Sequence, residues 1–425
     1  MKELKDPVTG DLIDKGLVIY FESPKSYTGE DLCEFHVHGG NSVVSGLLSA
    51  LGKIKGLRPA ESGEFSRRAF YSGKLDLLEI EGIADLIHAE SEFQRKQALI
   101  QANGHLSKLY NKWRVQLIKN TAHLEAYIDF SEDDNIEDGI VDTVVQDLQK
   151  LEFEIINHLN DGRRGELLRD GVRAVIIGET NVGKSSLMNI LCQNDVSIVT
   201  NQAGTTRDVI EKFYNINGYP IILSDTAGLR ESTDIVESEG IIRAKNCAEL
   251  ADFIILVMDG AKIEKYFENK LININDYTNY YLKELGINRS ILENKKLVIV
   301  VNKIDLVKES FKTMLAKENI IGISCTKAIS IPNVITEITN NLKDLCGDGE
   351  SESPVLSQTR HRHNLQECLN NIQTFLKSYN PETEQDLAIL VQNLRNSIRS
   401  IGRITGQVRT DDILDVIFKD FCIGK

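Results

Sequence analysis

The sequence predicts an α/β fold combined with an α+β fold: an α/β domain is inserted into an α-helical domain, and a small α+β domain precedes both. Two observations predict this class. From residue 171 onward, short β-rich runs alternate with helical stretches, as in a parallel sheet covered by helices on both faces. On both sides of that region apolar residues recur at helical spacing, so the helical domain is predicted to come from two separate segments.

Residues 1–75 predict the small α+β domain. The runs 17–21 and 32–37 have the composition of strands, and a turn-rich stretch separates them. Gly39 and Gly40 then precede a helical pattern. Strands and a helix within so short a stretch indicate a separate module at the start of the chain.

Residues 76–170 predict the first part of the helical domain. Apolar residues recur at helical spacing from 76 to 128, and Gly104 is the only glycine between Ala84 and Phe130. A further amphipathic helix is predicted from 143 to 160. It follows an acidic stretch at 129–142, which we interpret as a solvated loop.

Residues 171–346 predict the inserted α/β domain. Its β-rich runs are 172–177, 211–217, 220–224, 252–258, 297–301 and 320–324. The segment 261–294 is long for one crossover and predicts either a peripheral helix or a mobile excursion. Helical periodicity returns at 356, so residues 347–425 are predicted to complete the helical domain.

The composition is that of an ordinary globular protein. Among 425 residues, 41% are hydrophobic and 26% are charged, which excludes collagen-like and wholly disordered chains. The net charge of −14 argues against a general binder of polyanions but leaves a local basic patch open. No apolar run approaches the roughly 20 residues of a membrane span. Seven scattered cysteines without a Cys-x-x-Cys pair argue against a disulfide framework or zinc site and favour a reducing compartment.

A phosphate-binding motif follows the first strand of the α/β domain. Residues 178–185 match Gly-x-x-x-x-Gly-Lys-Ser between the strand 172–177 and a predicted helix. In that context main-chain N–H groups and a helix N-terminus face a phosphate. Gly183 allows a close approach of the backbone, Lys184 reaches the β- and γ-phosphates, and Ser185 is the predicted Mg²⁺ ligand.

Three further motifs follow in the order expected for a guanine-nucleotide site. In Asp-Thr-Ala-Gly, residues 225–228, the carboxylate holds the Mg²⁺ water shell and a glycine N–H senses the γ-phosphate. In Asn-Lys-Ile-Asp, residues 302–305, the carboxylate accepts two N–H groups of guanine. In Ser-Cys-Thr, residues 324–326, a main-chain N–H meets guanine O6. Four motifs in order, each at a strand end, predict a Ras-like P-loop GTPase domain.

The switch region indicates which kind of GTPase the domain is. Leu229 stands where Ras-type enzymes carry the glutamine that orients the attacking water, so another group must take that role. Thr206, within Gly-Thr-Thr-Arg-Asp at 204–208, is predicted to close on Mg²⁺. Asn181 offers an extra oxygen toward the phosphates, and an oxygen-lined pocket there suits a monovalent cation that supplies positive charge.

Almost the whole chain resembles the MnmE (TrmE) family of GTPases that modify the wobble uridine of tRNA. The similar segments are SYTGEDLCEFHVHGG at 26–40, GEFSRRAFYSGKLDLLEIEGIADLI at 63–87, the GTPase motifs, and the terminal FCIGK at 421–425. The resemblance implies a folate-binding α+β domain, a helical domain from two segments and an inserted Ras-like domain. It also implies homodimers formed through the amino-terminal domains.

The resemblance implies further site residues. Asn181 is implied to bind K⁺ together with Thr200, Gln202 and Thr205, and Ser185 and Thr206 to bind Mg²⁺. The full set implied or predicted to bind GTP is Asn181, Val182, Gly183, Lys184, Ser185, Ser186, Thr200, Thr205, Thr206, Asp225, Thr226, Ala227, Gly228, Asn302, Lys303, Asp305, Ser324, Cys325 and Thr326.

By the same resemblance, Glu237 is implied to be the catalytic glutamate that orients the attacking water, and Lys184 is also predicted to be catalytic. The alternative for Glu237 is an exposed carboxylate in an acidic loop. Arg230 is a weaker switch candidate. Cys422 is implied to have a redox or reactive role near the modification centre, and its alternative is a small apolar residue in a helix.

A folate site is implied in the amino-terminal domain. Glu34, Lys74 and the terminal Lys425 match family positions that contact a 5-formyl-tetrahydrofolate-like ligand. The family begins with a strand, a glycine-rich turn and an arginine, and by this resemblance we expect the domain here to lack its first segment. We expect a truncated or mis-assigned start rather than a degenerate domain.

The implied function is a K⁺-stimulated GTPase that builds a (carboxymethyl)aminomethyl group at C5 of uridine 34 of tRNA. It would act in a heterotetramer with a FAD-binding partner, MnmG, with a one-carbon unit from folate. Two alternatives stay open: a ribosome-assembly or general regulatory GTPase, and a non-enzymatic scaffold with a degenerate folate domain. We expect a bacterial cytoplasmic protein, or a mitochondrial one if the source is eukaryotic, without a membrane partner.

One helix face is a candidate for contact with RNA. Arg395, Arg399 and Arg403 have four-residue spacing, which places three cations on the same side of a helix. Such a row suits the phosphates of RNA. The alternative is an ordinary solvated helix face.

Overall fold

A computed structural model gives the fold of the chain. It describes residues 1–130, 139–161, 163–193, 211–224, 245–269, 273–293, 295–348, 355–379 and 387–408. The chain divides into two compact units. The first unit comprises Met1–His88, Ala98–Asn157 and Arg360–Lys425, and the second comprises Ala89–Gln97 and His158–Thr359.

The described strands, in chain order, are β1 Lys2–Lys5, β2 Leu12–Phe21, β3 Leu32–His36, β4 Val172–Ile177, β5 Glu211–Ile216, β6 Tyr219–Ser224, β7 Phe253–Asp259, β8 Lys296–Asn302 and β9 Ile321–Gly322. The described helices are α1 Asn41–Gly52, α2 Glu64–Tyr71, α3 Leu77–His88, α4 Glu92–Ala102, α5 His105–Phe130, α6 Ile140–Leu159, α7 Arg164–Asp170, α8 Lys184–Gln193, α9 Gly260–Asn269, α10 Ile274–Glu284, α11 Arg289–Leu292, α12 Glu309–Lys317, α13 Ile331–Cys346, α14 Thr359–Ser378 and α15 Leu387–Thr405. None of these helices combines the length and the apolar content needed to cross a membrane.

The first unit begins with a three-stranded antiparallel sheet in the order β1-β2-β3. The predicted run 17–21 lies within β2, the run 32–37 extends one residue past β3, and α1 packs against β2. The sequence did not predict β1, because Lys-Glu-Leu-Lys carries a single apolar residue, Leu4, and so shows no alternating pattern.

The helical part of the first unit is built from both ends of the chain. Helix α5 packs along α15, and their facing apolar side chains, such as Leu117 and Leu394, are fully buried. Helix α3 is joined to α14 by a buried ionic contact between Glu81 and His361. This confirms a helical domain assembled from two segments. The boundaries 1–75, 76–170, 171–346 and 347–425 stay predictions, and most of the acidic stretch 129–142 lies outside the described residues.

The second unit contains a six-stranded sheet in the order β5-β6-β4-β7-β8-β9. Its central strands β4 and β7 are near-continuous apolar runs because both faces are covered. Ala174 and Ile176 of β4 point into a core shared with α8 and α13, and Val175 and Ile177 point into a core shared with α9, α10 and α12. The predicted helices on both faces of the sheet are therefore confirmed.

The edge strand β5 departs from the prediction of a parallel sheet, because it pairs antiparallel with β6. Asn217 and Gly218 connect the two strands with φ values of 50° and 92°. Two successive positive φ angles are what a two-residue hairpin with the right twist requires, and Asn-Gly accepts them most readily. The remaining strand pairs of this sheet are parallel.

The segment 261–294 is helical where the structure describes it, as α9, α10 and α11. Helix α10 starts at an Asn273 cap, whose side chain accepts the N–H groups of Asn275 and Asp276. Its apolar face packs into the sheet core through Tyr277 and Tyr281. The prediction of helical structure is therefore confirmed, but the described residues form three helices that pack on the sheet core rather than one peripheral helix.

Candidate nucleotide-binding site

The chain makes a tight loop between β4 and α8, and two glycines are needed there. Gly178 and Gly183 have φ values of 155° and 104°. A Cβ on Gly178 would lie 2.3 Å from the carbonyl oxygen of Val257, and a Cβ on Gly183 would lie 2.1 Å from Nδ2 of Asn302. The loop can therefore close against Val257 of β7 and Asn302 of β8 only with glycine at these positions.

Lys184 is the first residue of α8, and its ammonium folds back over the loop. Its Nζ donates to the carbonyl oxygens of Gly178 and Glu179, at 2.8 and 2.6 Å. Ser185 and Ser186 follow in the first helical turn with exposed side chains. A cation and the positive end of a helix dipole thus stand together at the loop, which is the arrangement that binds phosphate.

The predicted Mg²⁺ ligand is a hydroxyl group, and the described residues agree with this better than with a site made of several carboxylates. Ser185 presents an exposed hydroxyl beside Lys184, and Mg²⁺ in nucleotide sites is bound by few protein oxygens together with phosphate oxygens. Within the described part of the chain, no group of three or more His, Cys, Asp or Glu side chains is placed to hold a metal. Asn181, predicted at the K⁺ site, is exposed at the rim of the loop with a φ of 63°.

Asn302, at the end of β8, joins the phosphate loop to the base-reading segment. Its Nδ2 donates to the carbonyl oxygen of buried Val182 at 2.8 Å, and its Oδ1 accepts the N–H of Cys325 at 3.1 Å. The side chain is itself buried. One amide group therefore fixes the distance between two loops that follow different strands.

Asp305 carries an acceptor that the described residues leave unmatched. Its Oδ1 is buried, and no hydrogen bond from a described residue reaches it. The Ser324 hydroxyl, together with Lys327, lowers the pKa of this carboxyl, so it is ionised near neutral pH. A carboxylate oxygen that is buried without its own donor is unfavourable, and an N–H group of guanine would satisfy Oδ1.

The other residues of the two base-reading motifs are described as well. They are Lys303, Ser324, Cys325 and Thr326. Lys303 has a φ of 64° and its Nζ donates to Asp259 at 2.6 Å. Ser324 is fully buried, and its hydroxyl shares a hydrogen bond with that of Thr326. Burial raises the pKa of the Cys325 thiol to about 11, so the thiol stays protonated and packs as a small apolar group.

Sequence reasoning missed a contact between α10 and the phosphate loop. The hydroxyl of Tyr281 accepts the main-chain N–H of Glu179 at 2.7 Å, across 102 positions of sequence. Lys262 of α9 also reaches the Glu179 carboxylate. The only sequence signal was the density of tyrosines in a segment too long for a crossover.

Several predicted GTPase residues lie outside the described residues. They are Thr200, Gln202, Thr205, Thr206, Asp225, Thr226, Ala227, Gly228, Arg230 and Glu237. The strand before Asp225 is described, and Ser224 at its end pairs with Val175 of β4. Strand β6 therefore ends at the same edge of the sheet as the strand that feeds the phosphate loop.

The predicted folate residues are only partly described. Lys74 lines a cleft of about 470 Å³ in the first unit, together with Asp76 and Glu79, whose carboxyl pKa values are both raised by burial. Glu34 lies on β3 and contacts His36, and it is not among the described residues that line this cleft. Lys425 and Cys422 lie outside the described residues.

The predicted basic face lies on α15, with Arg395, Arg399 and Arg403 all exposed. Glu125 pairs with Arg395 at 2.8 Å, and Glu367 pairs with Arg403 at 3.3 Å. These carboxylates offset part of the positive charge, which weakens the face as an anchor for phosphates.

A P-loop at the end of β4, with an Asn-Lys-x-Asp carboxylate beside it at the same sheet edge, defines the class: a P-loop protein that binds guanine nucleotides. Two family models cover nearly the whole chain, the MnmE helical domain at residues 77–422 and the GTP-binding protein TrmE N-terminus at residues 1–74. The chain belongs to the MnmE/TrmE family.

Relatives of known name agree with this membership. The mitochondrial 5-taurinomethyluridine tRNA synthase subunit GTPB3 of Danio rerio is 46% identical over 100% of this chain and 85% of that protein. The human protein of the same name is 43% identical over 100% of this chain and 84% of its own length. The tRNA modification GTPase MnmE of Rickettsia typhi is 42% identical over 100% and 90% of the two chains.

Among solved structures, a GTP-binding protein from Sulfolobus solfataricus in complex with GDP is similar at 20% identity and a TM-score of 0.28. The similarity covers 59% of this chain and 72% of that one.

Proposed function

We propose that this chain is a GTP-hydrolysing enzyme of tRNA wobble-uridine modification. The observation that carries the proposal is membership of the MnmE/TrmE family along almost the full chain. Relatives named as tRNA modification GTPase and as tRNA synthase subunit support the same activity. The local geometry agrees, because a P-loop lysine and a guanine-type carboxylate lie in one unit.

In the proposed hydrolysis, Lys184 neutralises charge on the β- and γ-phosphates, and Asp305 selects guanine. Ser185 and Thr206 are proposed to hold Mg²⁺, which supplies charge stabilisation at the phosphates when bound. Glu237 is proposed to orient the attacking water, since Leu229 cannot. The proposed K⁺ ligands are Asn181, Thr200, Gln202 and Thr205.

The proposed modification is an (carboxymethyl)aminomethyl group at C5 of uridine 34. We propose that Glu34, Lys74 and Lys425 hold a 5-formyl-tetrahydrofolate-type folate as the source of a one-carbon unit, and that Cys422 acts near that centre. The chain would form a homodimer and assemble with a FAD-binding MnmG partner into a heterotetramer. Relatives from bacteria and from mitochondria support either location.

Wobble-nucleoside mass spectrometry tests the proposed function. Deleting the gene in its own cell should remove the C5 modification of uridine 34. The wild-type chain should restore it, and a Lys184→Ala variant should not, because the phosphate-binding cation is lost. Unchanged C5 modification in the deletion strain would contradict the proposal and favour a ribosome-assembly or general regulatory GTPase.

A Glu237→Ala variant should bind GTP like the wild type but hydrolyse it about a hundredfold more slowly, the range for loss of a group that positions or activates water. Single-turnover hydrolysis in KCl and in NaCl gives both rates. Replacing the exposed Glu309 by Ala is the matched control and should leave turnover unchanged. Wild-type turnover in Glu237→Ala removes that residue from the mechanism, and equal wild-type rates in K⁺ and Na⁺ remove the K⁺ site.

A further inference from the structure

Tyr281 of α10 contacts both the phosphate loop and strand β7. Its hydroxyl accepts the N–H of Glu179 at 2.7 Å and donates to the carbonyl oxygen of Val257 at 3.2 Å. The side chain is 3% exposed. One buried hydroxyl therefore connects the second residue of the loop to the neighbouring strand β7.

Val257 of β7, which accepts from Tyr281, is also in contact with Gly178 of the loop. Gly178 packs so closely on Val257 that a Cβ would lie 2.3 Å from its carbonyl oxygen. The peptide between Gly178 and Glu179 is thus held against β7 by steric contact on one side and by the Tyr281 hydroxyl on the other. A shift of this peptide would break both contacts at once.

Every polar group of Glu179 is engaged by a different residue. Its N–H donates to Tyr281, its carbonyl oxygen accepts from Lys184, and its carboxylate accepts from Lys262. Lys184 is the residue proposed to contact the phosphates. The position of Glu179 therefore determines where the Lys184 ammonium lies before a nucleotide binds.

An aromatic cluster holds Tyr281 in place. The ring of Tyr277 lies 6.1 Å from that of Tyr281 at an interplanar angle of 16°, and Tyr266 meets Tyr277 edge-on at 5.0 Å. Such ring pairs add stabilisation beyond buried area. Burial also raises the pKa of the Tyr281 hydroxyl, so it keeps its proton at working pH.

We propose that Tyr281 is a positioning residue of the nucleotide site, which fixes the Gly178–Glu179 peptide so that the P-loop is ready for phosphate. The proposal rests on the proposed function, because it assumes that a guanine nucleotide binds this loop. It also gives the α9–α10 segment a role at the site. Tyr281 acts through the loop and is not itself a catalytic residue.

Tyr281→Phe keeps the ring and removes only the hydroxyl. The variant leaves the N–H of Glu179 without its partner, which is unfavourable. The loop should therefore rearrange, and nucleotide binding must then restore its original conformation. The Kd for GDP should rise roughly tenfold, about 1.4 kcal/mol. The KM for GTP should rise in parallel, while kcat at saturating GTP stays within about twofold, because the loop is needed equally in ground state and transition state.

Tyr277→Phe is the matched control. It removes a hydroxyl one turn earlier on the same helix, from a side chain that is also buried, and it should leave the Kd unchanged. Hydrogen exchange of the peptide covering residues 178–183, measured without nucleotide, should be faster in Tyr281→Phe and unchanged in Tyr277→Phe.

Two results would overturn the inference: an unchanged Kd for GDP in Tyr281→Phe, or an equal rise in both variants, which would indicate only loss of packing. Thermal unfolding of both variants without nucleotide separates a stability effect from an effect on the loop. If the wild-type chain binds no guanine nucleotide, the proposed function fails instead. The two failures are therefore distinguishable.

Discussion

Single residues in the nucleotide site act as connectors between loops. Asn302 binds Val182 in the phosphate loop and Cys325 in the base-reading segment with the two ends of one amide. Neither contact involves a nucleotide, so the side chain pre-orders both ends of the site. This reduces the ordering cost that a ligand would otherwise meet on binding.

Asp305 should determine base selectivity. Asp305→Asn replaces an acceptor by a group with both donor and acceptor, so it mismatches the guanine N–H groups and matches the additional oxygen of xanthine. We expect the Kd for GDP to rise at least about a hundredfold, in line with sites that leave a polar partner unpaired. Titration with fluorescent GDP and XDP measures both affinities.

Asp344→Asn is the control for this change, because Asp344 is exposed and pairs only with Lys296 among the described residues. It should bind GDP as the wild type does. If Asp305→Asn binds GDP normally, or gains no affinity for XDP, then Asp305 does not read the base.

The sequence could predict these motif residues because each motif is local in the chain and follows a strand. In the structure these motifs, at 178–185, 302–305 and 324–326, lie at the same edge of the sheet. Predicting this required only that the strands before them be parallel. Tyr281 could not be predicted in the same way. Its contact with Glu179 spans 102 residues and depends on how α10 packs, which no local spacing encodes.

At the level of elements, one ionic cluster joins helices that are far apart in the chain. Glu81 of α3 accepts from Arg360 and His361 of α14, both at 2.7 Å. The carboxylate is fully buried. Burial alone would raise the pKa of Glu81, but His361 and Arg360 outweigh it, so the pKa lies below its usual range.

Glu81→Gln should destabilise the protein strongly, by about 3–5 kcal/mol, because it leaves buried cations without their partner. The pH dependence follows from the lowered pKa: the stabilisation is present above about pH 4.5 and is lost as the pH falls through the lower folded-state pKa. Urea unfolding of wild type and variant between pH 3 and pH 8 should show two curves that converge in acid.

Glu125→Gln provides the comparison, since it breaks an exposed pair with Arg395 and should cost at most about 1 kcal/mol. Equal stability of Glu81→Gln and wild type at neutral pH would show that the buried cluster is not what joins α3 to α14.

Strands were predicted correctly where both of their faces are buried, and they were missed or misdirected where this is not so. Strands β4, β7 and β8 are buried apolar runs, and their observed bounds differ from the predicted ones by at most one residue. Strand β1 was missed because it has one buried side chain. The direction of β5 was wrong because the Asn217-Gly218 turn, rather than the apolar pattern, decides it.

At the scale of the whole molecule, the longer segment of the second unit, His158–Thr359, begins and ends at adjacent points. A Cβ on Gly165 would lie 2.2 Å from the carbonyl oxygen of Leu356, so the incoming and outgoing chains touch. Adjacent ends are typical of inserted domains, because the host can close over them with little loop entropy. The first unit also holds its own contacts, including α5 against α15 and the Glu81 cluster.

Replacing residues 166–355 by a short glycine-rich linker should therefore leave a folded helical unit. We expect cooperative thermal unfolding and strong helical circular dichroism, with no GDP binding, since the P-loop and Asp305 are removed together. Adding Glu81→Gln to this shortened chain should lower its stability by about as much as in the full chain, because the cluster lies wholly within the retained unit. Non-cooperative unfolding of the shortened chain would mean that the helical segments need the inserted domain to fold, and the two units would then not be independent.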